Sequence, residues 1–287
     1  MERIREALER ARKEREGKGI GFGGSTARAA SSLAAQDTVG SITYTQTKTV
    51  KVSRSALREK RVVSGFEAGI FTDANKILCT QVHQRLRENG WNSLAIVSPG
   101  ENEGKTLTSI NLAISLSLEV DHTVLLVDAD LRHPGVHAYF GIKQGQGLSD
   151  YLTGGASVEE LLVNPGIEHF VLLPGGKPLL NSSEMLGSPK MAELVQELKN
   201  RYPTRIVLFD LPPVLTAADA MAFSPYVDAA LLVVEEGKTK QDDVQRAVEM
   251  LKSTRIIGTV LNKSLELEMP EEINASWFKR VFKRGSH

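Results

Sequence analysis

The stretch Leu94-Ala-Ile-Val-Ser98-Pro-Gly-Glu-Asn-Glu-Gly-Lys-Thr106 decides how this chain is read. Four apolar residues run without a polar break, and a loop closing on Gly-Lys-Thr follows. An apolar run this short, bounded by a loop, predicts a strand buried on both faces. A helical pattern over about Lys105–Leu118 begins at once. A helix N-terminus that follows a strand turns backbone N–H groups and partial positive charge toward an anion. Gly104 lets the backbone approach a phosphate closely, Lys105 reaches the β- and γ-phosphates, and the Thr106 hydroxyl holds Mg²⁺. The spacing is imperfect, because Pro99 stands where the usual pattern has its first glycine. ATP and Mg²⁺ are the cofactors expected. The residues expected around them are Ser98, Gly100, Glu101, Asn102, Glu103, Gly104, Lys105, Thr106 and Leu107.

Outward from this stretch the same texture repeats. Apolar runs at Thr123–Val127, Phe170–Leu173, Ile206–Phe209, Ala229–Val234 and Ile256–Leu261 alternate with helical patterns. Those patterns fall near Pro189–Asn200, Ala217–Phe223 and Gln241–Lys252, and an earlier one spans Asp73–Asn89. Strand–helix repetition with consecutively apolar strands predicts an α/β fold, a doubly wound and mostly parallel sheet with helices on both faces. Ligands of such sheets sit at the carboxyl ends of the strands.

Acids stand at those ends. Val124-Leu-Leu-Val-Asp128-Ala-Asp130 leaves its strand with two carboxylates on one side. Asp128 suits Mg²⁺ ligation, and either Asp128 or Asp130 can take a proton from an attacking hydroxyl. Arg205-Ile-Val-Leu-Phe-Asp210 ends in a third carboxylate, suited to hold Mg²⁺ from the outer sphere. One such Asp is ordinarily a turn residue or cap; three beside a phosphate loop are a metal–nucleotide site. Lys105, Asp128 and Asp130 are the catalytic candidates, and Thr106, Asp128 and Asp210 the metal ligands. Asn262, after the last strand, is expected to meet a purine edge.

Bulk properties narrow the class. Lys+Arg and Asp+Glu both total 35, so global charge gives no reason to expect nucleic acid as a partner. One cysteine, Cys79, excludes an intramolecular disulfide framework. No apolar run reaches the roughly 18 residues that suggest a membrane span, and Met1-Glu-Arg-Ile-Arg lacks a signal-peptide core. These features predict a cytoplasmic protein. Charge is uneven along the chain. Residues 1–66 hold 14 Lys/Arg against 7 Asp/Glu, a net of +7, with a short helical pattern followed by Gly- and Ser/Thr-rich sequence. They read as a flexible basic arm. Residues 67–264 form the phosphate-loop domain. Residues 265–287 put Ile273, Trp277 and Val281 beside Lys279, Arg280, Lys283 and Arg284. That is a basic amphipathic tail that either packs on the domain as a C-terminal helix or docks on a membrane surface, the inner face of the plasma membrane, or on a membrane partner.

Asp128-Ala-Asp-Leu-Arg-His-Pro, Gly147-Leu-Ser-Asp-Tyr-Leu-Thr-Gly-Gly and Phe209-Asp-Leu-Pro-Pro-Val-Leu resemble the bacterial tyrosine kinases of capsule and exopolysaccharide synthesis. Leu172-Leu-Pro-Gly-Gly-Lys, Asn181-Ser-Ser-Glu-Met-Leu and Val260-Leu-Asn-Lys add to the resemblance, which covers about Asp73–Ser264. It implies a P-loop NTPase of the deviant Walker type. Ser98–Thr106, Leu125–Asp130 and Ile206–Asp210 then supply the Walker A, A′ and B elements. It also implies transfer of the ATP γ-phosphoryl group to tyrosine, a membrane chain-length (polysaccharide co-polymerase) partner, and a homo-oligomer. Gly100 stands where partition-type positioning ATPases carry a signature lysine, which separates the chain from that branch.

Three features depart from the family pattern. The five tyrosines are Tyr44, Tyr139, Tyr151, Tyr202 and Tyr226, and none follows Ser264, where the family clusters its phosphorylated tyrosines. This motivates a second reading, an ATP-binding regulatory subunit with little kinase activity. The positions of the Glu-x-x-Arg-x-x-Arg assembly motif fall on Asp73, Lys76 and Cys79, of which the first two keep the charge sign and the third loses it; Glu9, Arg12 and Arg15 in the basic arm match it. Glu101 and Glu103 add negative charge beside the expected phosphates.

Overall fold

The computed structural model describes residues 47–62, 69–119, 122–202 and 204–264. The strands are β1 (Lys48–Thr49), β2 (Ser93–Val97), β3 (Thr123–Asp128), β4 (Val163–Asn164), β5 (Phe170–Leu173), β6 (Arg205–Asp210), β7 (Ala229–Glu235) and β8 (Arg255–Asn262). Every apolar run expected to be a strand is one. They form one sheet in the order β1-β4-β5-β3-β6-β2-β7-β8. All neighbours pair in parallel except β4 with β5.

Alternate residues of each run feed opposite faces, which is why the runs are apolar without a break. Ala95, Val97, Leu125, Val127, Val207, Phe209 and Leu232 join one core. The helices Pro189–Asn200, Asp219–Phe223 and Gln241–Met250 cover it. Leu94, Ile96, Val124, Leu126, Ile206, Leu208 and Leu231 join the other, under the helices Ile70–Asn89 and Lys105–Ser117. The doubly wound expectation is met. The edge strand β8 is half-covered, and Leu261 is 58% exposed there.

At the amino ends of β2 and β7 a polar clip fixes the register. Asp228 Oδ2 accepts from the backbone N–H of Asn92 at 3.1 Å, and from the N–H and hydroxyl of Ser93 at 3.0 and 2.7 Å. Asp228 Oδ1 meets Lys199 Nζ at 2.5 Å.

Part of the stretch expected to be a basic arm, residues 1–66, is folded where it is described. Lys48–Thr49 pairs with Val163–Asn164 in the sheet. The helix Arg54–Glu59 buries Leu57, Val62 is 1% exposed, and Asn111 Nδ2 donates to the Arg61 carbonyl at 3.2 Å. Composition averaged over a Ser/Thr-rich stretch hid two apolar anchors. Residues 1–46, with Tyr44 and the Glu9, Arg12 and Arg15 pattern, lie outside the described residues, and so does the tail 265–287. At the other assembly-motif positions, Asp73 and Lys76 form an exposed pair at 3.6 Å, whereas Cys79 is 3% exposed and belongs to the core. No described helix is long and apolar enough to cross a membrane.

Candidate nucleotide and phosphoryl-transfer site

Two strands deliver the acids, β3 with Asp128 and Asp130 just beyond it and β6 with Asp210, and the loop after β2 delivers the lysine. β3 and β6 pair in parallel with Asp128 opposite Asp210. The loop after β2 ends at Gly104, whose backbone is left-handed (φ +94°), and the helix begins at Lys105. A Cβ at Gly104 would overlap the Asn262 side-chain amide, so only glycine fits there. Asn102 also sits at positive φ (60°), a conformation asparagine tolerates.

Lys105 Nζ lies 2.8 Å from Asp130 Oδ2 and 3.8 Å from Asp210 Oδ2. The Thr106 hydroxyl donates to Asp210 Oδ2 at 2.7 Å, and Ser109 Oγ donates to Asp210 Oδ1 at 3.0 Å. Asp128 Oδ2 accepts from the N–H groups of Gly135 and Val136, both at 3.0 Å. Its Oδ1 is buried with no hydrogen-bond partner. Asp130 Oδ1 accepts from the His133 N–H at 3.1 Å. All three acids are buried. The sequence-predicted catalytic and metal residues therefore converge on one point.

The electrostatics are those of a cation site. Burial works against the Lys105 charge, but Asp210 and Asp130 outweigh it and raise its pKa. Burial and then the neighbouring Asp210 push Asp128 up to about 8. Burial also raises Asp210, against the opposing pull of Lys105 and the Thr106 hydroxyl. Three buried carboxyl groups crowd one ammonium, which is why Asp128 holds its proton in the absence of a metal, and an orphaned carboxyl oxygen is the atom such a site offers a divalent ion. The donor set fits Mg²⁺.

The loop residues are braced from far along the chain. Ser98 Oγ donates to the Gly100 carbonyl at 2.7 Å. Glu103 is 4% exposed; its Oε2 accepts from the Gly100 N–H at 3.0 Å and its Oε1 from Thr239 Oγ1 at 2.5 Å. Its carboxylate thus serves as a brace, with its charge already hydrogen-bonded within the protein. Glu101 is exposed and Leu107 half-buried. Asn262 Nδ2 donates to the Glu103 carbonyl at 2.8 Å. Lys263 Nζ reaches the Asn102 carbonyl at 2.6 Å and Glu235 Oε2 at 3.0 Å.

Some of these partners were not read from sequence. Ser109 had a signal, because it lies one helical turn beyond Thr106 on the same face. Thr239, Glu235 and Lys263 had none beyond Lys263 following Asn262. Arg132 lies within the Asp128–Pro134 motif. Its Nε donates to Asp219 Oδ1 at 2.8 Å, and Ser182 Oγ donates to the same oxygen at 2.7 Å. The loop after β3 is thereby tied to the helices Ser182–Leu186 and Asp219–Phe223. The Gly147 and Gly175–Gly176 motifs pack on one another beneath Asp128: Leu148 N–H donates to Pro174 O at 2.8 Å and Ser149 N–H to Gly175 O at 3.0 Å. A Cβ at Gly175 would press on Pro134 and Asp128.

The family of AAA domains matches residues 99–267, more than half of the chain. Tyrosine-protein kinase CpsD of Streptococcus agalactiae is 30% identical over 176 residues, 60% of this chain and 75% of that protein. The chain belongs to the bacterial tyrosine-protein kinases. Tyrosine-protein kinase YwqD of Bacillus subtilis is 29% identical over 216 residues, 74% of this chain and 90% of that protein. Among solved structures, the kinase domain of the Escherichia coli tyrosine kinase ETK superposes with a TM-score of 0.66 at 26% identity. That match covers 78% of this chain and 91% of that one.

Proposed function

We propose that the chain is an ATP- and Mg²⁺-dependent protein-tyrosine kinase acting in capsule or exopolysaccharide synthesis and export. The single observation that carries the reading is the convergence of Lys105 and Thr106 on Asp130 and Asp210, beside the unpartnered Asp128 Oδ1. Membership of the tyrosine-kinase family supports the acceptor class.

Thr106 Oγ1, Asp128 Oδ1 and Asp210 hold Mg²⁺ in this reading, and Lys105 faces the β- and γ-phosphates. The N–H groups of the loop Gly100–Thr106 line the phosphates, Leu107 follows them, and Asn262 stands at the purine side. ATP brings the transferable group, and Mg²⁺ offsets the charge that builds on it. The chain's own residues do the rest. Burial of the acids excludes water, and Lys105 stabilises charge developing on the transferred group. Asp130, held by His133 N–H and Lys105, orients the tyrosine hydroxyl and accepts its proton. Catalysis is positioning and electrostatics.

A membrane polysaccharide co-polymerase is the partner we assign, at the inner face of the plasma membrane and contacted in part by the basic tail 265–287. Self-association belongs to the same reading. The experiment is incubation of the full chain with γ-labelled ATP and Mg²⁺, alone and with that partner, followed by phosphotyrosine mapping. Lys105→Met is expected to lose at least 100-fold in labelling. Equal labelling of both proteins refutes the reading. ATP-dependent partner binding without any phosphotyrosine favours the regulatory-subunit alternative.

A further inference from the structure

At the far end of β3 from Asp128, three side chains of another kind meet. His83 lies on the helix Ile70–Asn89, and Glu119 and His122 lie shortly before Thr123, where β3 begins. The Glu119 Oε2 carboxylate oxygen lies 2.6 Å from His83 Nδ1, and His83 Nε2 lies 2.7 Å from His122 Nε2. The two rings stand edge to face, with centroids 4.6 Å apart and planes at 84°. One ligating atom from each of the three lies within 4.8 Å of the others.

We infer that His83 and His122 form a transition-metal site of the zinc class, with both Nε2 atoms as ligands and Glu119 as the group that orients His83. The chemistry follows from where the protons sit. Glu119 accepts from His83 Nδ1–H, so the lone pair of His83 is on Nε2 and faces His122. A carboxylate on the other nitrogen of a ligating imidazole is the usual outer-sphere arrangement of a zinc histidine, and it raises ligand basicity. Tetrahedral zinc with Zn–N near 2.0–2.1 Å sets two nitrogen ligands about 3.3 Å apart. The observed 2.7 Å is short of that by a few tenths of an ångström, a separation that small rotations of two half-buried rings supply. The His122 Nε2 proton shifts to its Nδ1 or to solvent as the metal binds, and water fills the remaining positions. Side-chain exposures of 21% for His83 and 36% for Glu119 leave a path from solvent. Burial and then Glu119 push the Cys79 thiol up to about 12, so it stays protonated and donates to Glu119 Oε1 at 3.5 Å. It fixes the carboxylate and leaves ligation to the imidazoles.

The site is separate from the nucleotide end. β3 is six residues long, which sets the two about 20 Å apart at roughly 3.3 Å per residue. A bound ion would staple the helix Ile70–Asn89 to the chain entering β3.

The test uses the full chain, stripped with a chelator and desalted, then titrated with Zn²⁺ alone against a chromophoric competitor. Wild type is expected to bind one equivalent more than His122→Gln, and Glu119→Gln to bind that equivalent about 10-fold or more weakly. Mg·ATP is expected to leave it in place. Equal zinc uptake by wild type and His122→Gln overturns the inference, as does displacement of the equivalent by Mg·ATP. Should His122→Gln not fold by circular dichroism, wild type with one equivalent of Cu²⁺ decides. Nitrogen hyperfine structure from two imidazoles is expected in its EPR spectrum, and its absence overturns the site.

Discussion

Asp128→Asn is expected to make the metal-free protein more stable while abolishing phosphoryl transfer. Asp128 is 0% exposed, faces Asp210 across the β3–β6 pair, and has one carboxylate oxygen without a partner. Asparagine is nearly isosteric. Its carbonyl oxygen can still accept from the Gly135 and Val136 N–H groups, and its amide can donate toward Asp210. The sign follows from linkage. The folded-state pKa of about 8 lies above the ordinary value of 3.8. Between these values the native protein holds a proton that the unfolded chain has released. Stability is therefore fully present at low pH and is lost as pH rises toward 8. One excess proton is worth about 1.4 kcal/mol per pH unit. From pH 6.5 to 8.0 wild type should lose about 2 kcal/mol in chelator.

The assay is urea unfolding of both proteins in EDTA across that range, with the slope m held common. The variant keeps Asp210, whose pKa burial also raises, so it should lose less than wild type over this range and be the more stable at pH 8. Asp219 and Asp228 have lowered pKa values, so their contributions fade only in acid and do not enter this window. Mg·ATP should flatten the wild-type curve by binding the ionised acids. Labelling from ATP should fall at least 100-fold in the variant. If the variant destabilises with pH as steeply as wild type, or is the less stable at pH 8, the buried-charge account of Asp128 is wrong.

Gly104→Ala places a Cβ onto the Asn262 amide at φ +94°; it should cost about 1–3 kcal/mol and weaken binding of a fluorescent ATP analogue at least 10-fold. Thr239→Ala leaves a buried Glu103 oxygen short of its 2.5 Å donor; it should cost about 1–3 kcal/mol and speed nucleotide release in stopped-flow measurements. Asp228→Asn breaks the clip at the amino ends of β2 and β7. Burial alone would raise the Asp228 pKa, but Lys199, Ser93 and the Asn92 N–H outweigh it and hold the pKa below the ordinary value. Its stabilisation is present above about pH 4 and is lost as pH falls through the lowered value. The variant should trail wild type by about 2 kcal/mol at pH 7, and urea midpoints should converge in strong acid.

The sheet was legible because burial on both faces writes itself as consecutive Val, Ile and Leu. The two-residue strands β1 and β4 were not, since so short a ladder leaves no periodicity. Leu57 and Val62 were lost in a polar average for the same reason. The acids were legible because a parallel sheet brings strand ends together, whatever the separation in sequence. The braces of the phosphate loop were not. Glu103 meets Thr239 across 136 positions and Asn102 meets Lys263 across 161, and nothing local in either segment marks such a pairing. The negative charge of Glu103 was read as a burden on the phosphates. Its direction, into Thr239 and the Gly100 N–H, is a tertiary fact.

The same geometry bears on where an acceptor hydroxyl can come from. Tyr202 precedes β6 and Tyr226 precedes β7, so both stand at the amino end of the sheet, whereas Asp210 closes β6 at its carboxyl end. Six residues of strand put roughly 20 Å between those ends. The Tyr226 hydroxyl donates to Gly187 O at 2.9 Å, and the Tyr202 ring lies under Arg205 at 4.0 Å. Tyr202 is 47% exposed, so exposure alone does not make an acceptor; it faces away from the γ-phosphate position. Tyr139 is half-buried, and burial followed by Asp210 raises its pKa, which makes its hydroxyl harder to deprotonate. Phosphoryl transfer needs the reacting atoms within about 3–3.5 Å and in line. Neither Tyr202 nor Tyr226 meets that condition while β6 and β7 keep their places in the sheet.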